Sequence, residues 1–443
     1  MKIFHTIDQL CQGTYGVVQI YPDEPSAYVL NKARLWADNI IDALIQTALF
    51  AESEEVKSFT RWLIRETGKQ IGNFPASLHP LYQTLADDSE NVSHQYVIPS
   101  IDISGMTYEM ARAVYRARQR TDTGPVIFEL NDSDQMADAT PLSDYTVSVI
   151  AAAIKEQHAE NGWGPIFLKR NLKVNIDRSS EELEGKLREL TDTIDRTLDA
   201  GIYNISIDAS VPDGDDNTVE PDPTENARIT AELVRYIRSK EPKNTPVTVS
   251  GTLTISENLT IAPKQLRTFL QEFQQQISSE EAEKDVRGIA TVSIRRSNNS
   301  ADNSGSDGKL VWSDSNKDML TNLSNIAREE FALFGIVPRD IPQLSEQSLS
   351  DLSDENVTEL QYSRDFQNFI LNHPRFPRHL GKQIQTSSQE KNGVSLKKHL
   401  WEIEPHLLGI IMRDLEEEFV TLFDRLGIHH TSKLLRSYFQ PAD

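Results

Sequence analysis

Cysteine is nearly absent from this chain: among 443 residues only Cys11 occurs. That excludes an intramolecular disulfide and any zinc site built on thiolates. Histidine is scarce where it would matter most, since ten occur and none lies between His158 and His373. Apolar runs are short. No stretch approaches the ~20 residues of a membrane span. The N-terminus Met-Lys-Ile-Phe-His-Thr-Ile-Asp lacks the apolar core of a signal peptide, so a cytoplasmic location is expected and the sequons at Asn91 and Asn258 read as chance matches. Positive charge is also in deficit: 45 Lys and Arg face 67 Asp and Glu, a net charge of −22 at pH 7. Neither nucleic acid nor an anionic membrane is an expected partner, because polyanion binding draws on clustered positive charge and counterion release.

What is present organises into three regions. Residues 1–95 read as a helical N-terminal region, with Val56, Phe59 and Leu63 at helical spacing within 54–70 and no β-like alternation. Residues 96–365 alternate short apolar runs with amphipathic helices, the order that builds a parallel sheet. The runs are Val97–Ile103, Pro125–Leu130, Pro165–Lys169, Tyr203–Ser210, Pro246–Gly251, Gly288–Ile294, Ile336–Val337 and Thr358–Tyr362, with a further short candidate at Leu310–Trp312. One unit shows the logic. Leu183, Leu187, Leu190, Ile194 and Leu198 form a helical stripe, Gly201 supplies a stop at positive φ, and Ile202–Asp208 follows as a strand. About eight βα repeats predict a (β/α)₈ TIM barrel rather than an open doubly wound sheet, whose Gly-x-Gly-x-x-Gly turn is missing. Asn298–Gly308 and Ser345–Asn356 read as long polar loops, and residues 366–443 as C-terminal helices marked by Leu408, Ile411, Leu415, Phe419 and Leu422.

In a barrel the reactive groups come from the carboxyl ends of the strands. The histidine gap spans most of them, which leaves no histidine-based zinc or iron site there. A carboxylate magnesium site through Asp102, Glu129 and Asp208 stays open; the alternative is that these acids pair with neighbouring arginines. His373, His379 and His399 fall in the C-terminal helices, and His429-His430 reads as a solvated pair. Serine chemistry lacks a Gly-x-Ser-x-Gly elbow and a histidine partner. Lys169 at a strand end is a candidate Schiff-base nucleophile, or a paired charge. Basic residues dominate the remaining strand-end positions: Lys169, Arg170, Arg295, Arg296, Arg339 and Arg364 are expected to converge on one mouth and capture a small anion, unless alternation turns half of them outward.

Several segments carry a family resemblance. They are Thr60-Arg61-Trp62-Leu63-Ile64-Arg65, Gly105-Met106-Thr107-Tyr108, Val126-Ile127-Phe128-Glu129, Ala200-Gly201 through Ile207-Asp208-Ala209-Ser210, Ala327-Arg328-Glu329-Glu330, Phe366-Gln367-Asn368 with Asn372-His373-Pro374, Leu400-Trp401, and Glu418-Phe419 through Leu426-Gly427. With them the chain resembles the class II, zinc-dependent fructose-bisphosphate aldolases, in their long bacterial form. The resemblance implies zinc as cofactor, but its motif positions are altered. The Asp-His pair that supplies the general acid/base and a zinc ligand falls on Arg170-Asn171, and a Gly-Gly-Glu segment becomes Ser250-Gly251-Thr252. A Ser-His-Gly-Gly segment falls near Asn298-Asn299-Ser300-Ala301, and the third zinc histidine on Arg339. Only Asp208 survives.

Without the Lewis acid, aldol cleavage loses on the order of 10³-fold or more in rate, and an arginine at the acid/base position is a permanent cation. The expectation is a catalytically degenerate barrel without a metal. It would serve as an accessory subunit beside an active aldolase paralogue, by self-association, or as the binder of a small anionic metabolite. The alternative is an active aldolase or lyase on sugar phosphates, with an atypical metal site or a Lys169 Schiff base.

Overall fold

The structure, a computed structural model, describes residues 2–22, 26–37, 39–87, 97–103, 107–131, 142–157, 164–174, 180–209, 222–255, 260–278, 287–296, 314–339, 357–362, 366–382 and 402–432. The amino-terminal region holds α1 (Ile7–Thr14), α2 (Lys32–Ala37), α3 (Ile40–Phe50), α4 (Glu54–Gln70) and α5 (His79–Asp87). The chemistry of α4 is local: Ser53 caps it by accepting from the Val56 amide, Glu54 and Glu55 open the first turn, and Lys69 closes the last. Its buried face carries Val56, Leu63 and Ile64. The all-helical expectation fails at one place, where β1 (Val18–Tyr21) and β2 (Ser26–Val29) pair antiparallel. Val18-Gln19-Ile20 and Ala27-Tyr28-Val29 do alternate, but each strand is only four residues long.

Each of the eight predicted runs becomes one strand: β3 (Ile98–Asp102), β4 (Ile127–Asn131), β5 (Phe167–Lys173), β6 (Asn204–Asp208), β7 (Thr248–Ile255), β8 (Thr291–Arg296), β9 (Gly335–Pro338) and β10 (Glu359–Tyr362). All are parallel in the order β10-β3-β4-β5-β6-β7-β8-β9. The ring closes through a bridge between Ile336 and Val357, where the Thr358 amide donates to the Ile336 carbonyl at 3.3 Å. This is a (β/α)₈ barrel. The candidate strand at Leu310–Trp312 and the two polar loops lie outside the described residues.

Around the strands run α6 (Thr107–Thr121), α7 (Leu142–Glu156), α8 (Ser180–Asp199), α9 (Pro223–Lys240), α10 (Ile261–Ile277) and α11 (Asp314–Asn325), the last continuing into a π turn at Ile326–Glu330. Gly201 takes φ +82° behind α8, a conformation that a side chain would strain. Asp222 caps α9 by accepting from Thr224, with Pro223 in the first turn where its missing N–H costs nothing. After α12 (Phe366–Leu371), α13 (Pro405–Arg425) buries Ile411, Leu415, Phe419 and Leu422, and the Phe366 and Phe419 rings meet at 4.8 Å. Beyond α13 the chain ties to the α6–β4 turn, His430 N donating to Thr121 O and Gly124 N to Thr431 Oγ1.

The amino-terminal region also closes one end of the barrel. The Ile166 and Ala76 amides donate to Phe74 and Ile166 carbonyls, Leu78 N donates to Asn204 Oδ1 at 2.7 Å, and Tyr82 is fully buried beneath β10. The floor is thus sealed by residues 74–82, and the open end is the carboxyl face of the strands.

Candidate functional site: a polar lumen and an arginine mouth

Strand alternation fixes which side chains enter the lumen. On β6, Ile205 and Ile207 pack outward against the helices, which leaves Asn204, Ser206 and Asp208 inward; on β7 the inward set is Thr248, Ser250 and Thr252. Hydrogen bonds between strands that are not neighbours can only cross the lumen, and several do so. Lys169 Nζ on β5 donates to Glu359 Oε1 on β10 at 2.7 Å and stands 3.9 Å from Glu129 Oε1. The other Glu359 oxygen accepts from the Tyr82 hydroxyl at 2.9 Å. Burial and the facing Glu359 carboxylate drive the Tyr82 pKa well above its ordinary value. Glu129 accepts from Asn171 Nδ2 at 3.2 Å and from Gln361 Nε2. The core of this barrel is therefore a paired polar network rather than the usual layers of branched apolar residues.

At the carboxyl end two arginines enter the lumen, one from β8 and one from just past β9. Arg295 Nη1 on β8 pairs with Asp208 Oδ2 at 2.5 Å. Arg339, just past β9, is only 6% exposed. It donates from Nε to Gln361 Oε1 at 2.8 Å and from Nη1 to Thr252 Oγ1 at 3.3 Å. Among the described residues no carboxylate lies within ion-pair reach of it, and its charge reaches Glu129 only through the Gln361 amide.

The expected basic mouth is thus reached in part. Arg295 and Arg339 enter it, whereas Lys169 lies deeper, 2% exposed and held by Glu359. Arg170 departs from the expectation: it shares the outward phase of Leu168 and Leu172, and its Nη1 donates to Thr197 Oγ1 of α8 at 2.9 Å. Arg364, Ser300 and the side chain of Arg296 lie outside the described residues. The magnesium option is not met either. Asp208 is engaged by Arg295 and Glu129 by two amides, and among the described residues no three His, Cys, Asp or Glu side chains come together. Glu359, Gln361 and Tyr82 are the lumen residues that sequence reasoning missed. The Glu359-x-Gln361 alternation of an eighth strand was the available signal.

Zinc does not fit the described residues at the positions where the resembled aldolases place their ligands. Asn171 turns a donor amide toward Glu129 and Arg339 is itself a cation, while the remaining position, at 298–301, lies outside the described residues.

No family model matches the sequence, and no curated protein matches it. Among solved structures the chain is similar to the YdjI aldolase of Escherichia coli K12, at 13% identity and TM-score 0.45 over 80% of this chain and 98% of that one. It is likewise similar to the fructose-bisphosphate aldolase of Campylobacter jejuni, at 14% identity and TM-score 0.48 over 81% and 96%. The barrel assignment rests on the chain's own strand order and register. Among the described residues no helix is long and apolar enough to cross a membrane.

Proposed function

We propose that the barrel mouth binds a small anionic metabolite, a phosphorylated one by preference, and that the chain does not carry out zinc-dependent aldol cleavage. Arg339 carries this reading. A buried cation without a carboxylate costs several kcal/mol unless another charge compensates it, and the planar guanidinium is suited to a phosphate or carboxylate guest. Arg295 on the neighbouring strand is the second donor available to the same guest. An accessory role beside an active aldolase paralogue, or in a self-associated form, is compatible with such a mouth and is tested by co-purification and sedimentation.

A Schiff-base lyase on Lys169 is the competing reading, and the ion pair with Glu359 opposes it, because a nucleophilic amine must first surrender the proton that this carboxylate stabilises. Borohydride trapping with dihydroxyacetone phosphate decides: a mass increase on Lys169 establishes the lyase. For the binding reading, calorimetry with inorganic phosphate, dihydroxyacetone phosphate and fructose 1,6-bisphosphate should give saturable binding that falls at least about tenfold in Arg339→Met, a loss of ~1.4 kcal/mol. No binding of any of these, or equal binding by the variant, overturns it. Stoichiometric zinc in the purified protein overturns the non-catalytic part.

A further inference from the structure

The closed floor of the barrel holds a second feature that the mouth does not explain. A cavity of about 360 Å³ lies beneath the amino-terminal ends of β7, β8 and β9, roofed by the second half of α10. Phe273, Leu270, Phe331 and Phe334 supply much of its apolar wall, while Arg238, Arg287 and His79 supply a polar end. The size lies in the range of sites that enclose small organic ligands. At the floor of a barrel, where residues ordinarily serve stability, a cavity with two arginines is unexpected.

The charges at that polar end do not balance. Arg238, with its side chain 9% exposed, donates from Nη1 to Glu241 Oε1 at 3.0 Å and to the Val247 carbonyl, from Nε to the Arg287 carbonyl and from Nη2 to the Gly288 carbonyl. Arg287 Nη2 turns to the same Glu241 oxygen. Two guanidinium groups thus share one carboxylate, and Arg287 Nε is buried without an acceptor. Burial lowers the Arg238 pKa to about 10 against the pull of Glu241, with Arg287 adding to the fall. Burial and the same two arginines lower the His79 pKa, and its ring lies edge-on to Phe334 at 5.6 Å.

We infer that this floor cavity is a binding site for a small amphipathic anion, a carboxylate or phosphate monoester on an apolar or aromatic body. The anionic head supplies the charge that Arg238 and Arg287 lack and gives Arg287 Nε its acceptor. The body lies against Phe273 and Phe334. The site is separate from the arginine mouth, on the opposite face of the barrel.

The test uses the full chain carrying Arg295→Met and Arg339→Met, which removes both mouth arginines, so that its failure leaves the mouth reading intact and the reverse holds too. Calorimetry at pH 7.5 compares phenyl phosphate, hexanoate and 1-hexanol. At least one anion should bind saturably at one site per chain while hexanol binds at least about tenfold more weakly. Adding Arg287→Met should weaken the anion at least about tenfold without lowering the melting temperature of the free protein, because it removes the unbalanced charge and the orphaned donor together. Ser278→Trp, at the exposed end of α10 lining the cavity, leaves every charge in place and should reduce binding by obstruction. Absence of saturable binding, hexanol bound as tightly as the anions, or undiminished binding in both variants overturns the inference.

Discussion

Lys169→Met should be among the most destabilising single changes available in this barrel, and a second change should repair it. Lys169 and Glu359 are 2% and 0% exposed, with Nζ and Oε1 2.7 Å apart. At that distance and an effective dielectric near 20 the attraction is about 6 kcal/mol. Removing two ions from water costs several kcal/mol each, so the intact pair is close to neutral in net stability. Breaking it is another matter. In Lys169→Met, Glu359 keeps only the Tyr82 hydroxyl at 2.9 Å and must be buried charged or take up a proton, at a cost of about 3–5 kcal/mol. In Lys169→Met with Glu359→Gln the charge is gone and the amide oxygen still accepts from Tyr82, so the double variant should lie within about 1.5 kcal/mol of the parent. Guanidinium unfolding of the parent, both single variants and the double variant closes the cycle. A cost below about 1 kcal/mol for Lys169→Met, or a double variant no better than the single, would refute the picture of the lumen as a closed ionic network.

Two further outcomes follow from the helices outside the barrel. Glu156 is buried, which raises its pKa, but its contacts with Arg116 and Arg112 outweigh burial and hold it below its ordinary 4.5. Its folded pKa is depressed, so its contribution is present above that ordinary value and is lost as pH falls through the lower folded one. Glu156→Gln should therefore be less stable than the parent at pH 7, with the gap closing as urea unfolding is repeated toward pH 3. At Gly68 an added Cβ would stand 2.5 Å from Ile150 Cγ2 and 2.6 Å from the Asn73 carbonyl oxygen. Gly68→Ala should cost about 1–3 kcal/mol by prising α4 from α7, and an unchanged melting temperature would contradict that contact.

The barrel was legible because its signals are local. The unit from Leu183 to Asp208 carries a helical stripe, a punctuating glycine and an apolar run, and the Gly201 reading holds in the structure. The hairpin at Val18–Tyr21 and Ser26–Val29 was lost because four-residue strands inside a helical region give too little alternation to compete. Arg170 was misplaced for want of phase. Counting it as a strand-end residue ignored that Leu168 and Leu172, two positions either side, face the helices, so period two sends Arg170 with them. The Glu359 to Lys169 pair spans 190 positions, and Glu241 joins Arg287 across the length of α10. Such meetings depend on barrel closure and helix packing, which no local pattern encodes.

The two mouth arginines are not equivalent, and the difference gives a direct test of what Asp208 does. Arg339 is held by neutral groups and can meet an anion without losing an ionic partner. Arg295, 23% exposed, must leave or share Asp208 Oδ2 to reach the same guest. Asp208 is thus a competitor for the anion within the site. Replacing it by asparagine keeps its shape and removes its charge, which frees Arg295 and relieves the repulsion between guest and carboxylate. With Asp208 buried and Arg295 partly exposed, desolvation offsets much of the attraction and the net worth of the pair is on the order of 1 kcal/mol, so Asp208→Asn should tighten phosphate binding about fivefold and do so only while Arg295 is present. If Asp208 instead does not compete with the guest, the substitution leaves binding of inorganic phosphate unchanged. Calorimetric titration of Asp208→Asn, Arg295→Met and the pair separates the two: tightening that survives the loss of Arg295, or no tightening at all, removes Arg295 from the anion site and leaves Arg339 to act alone.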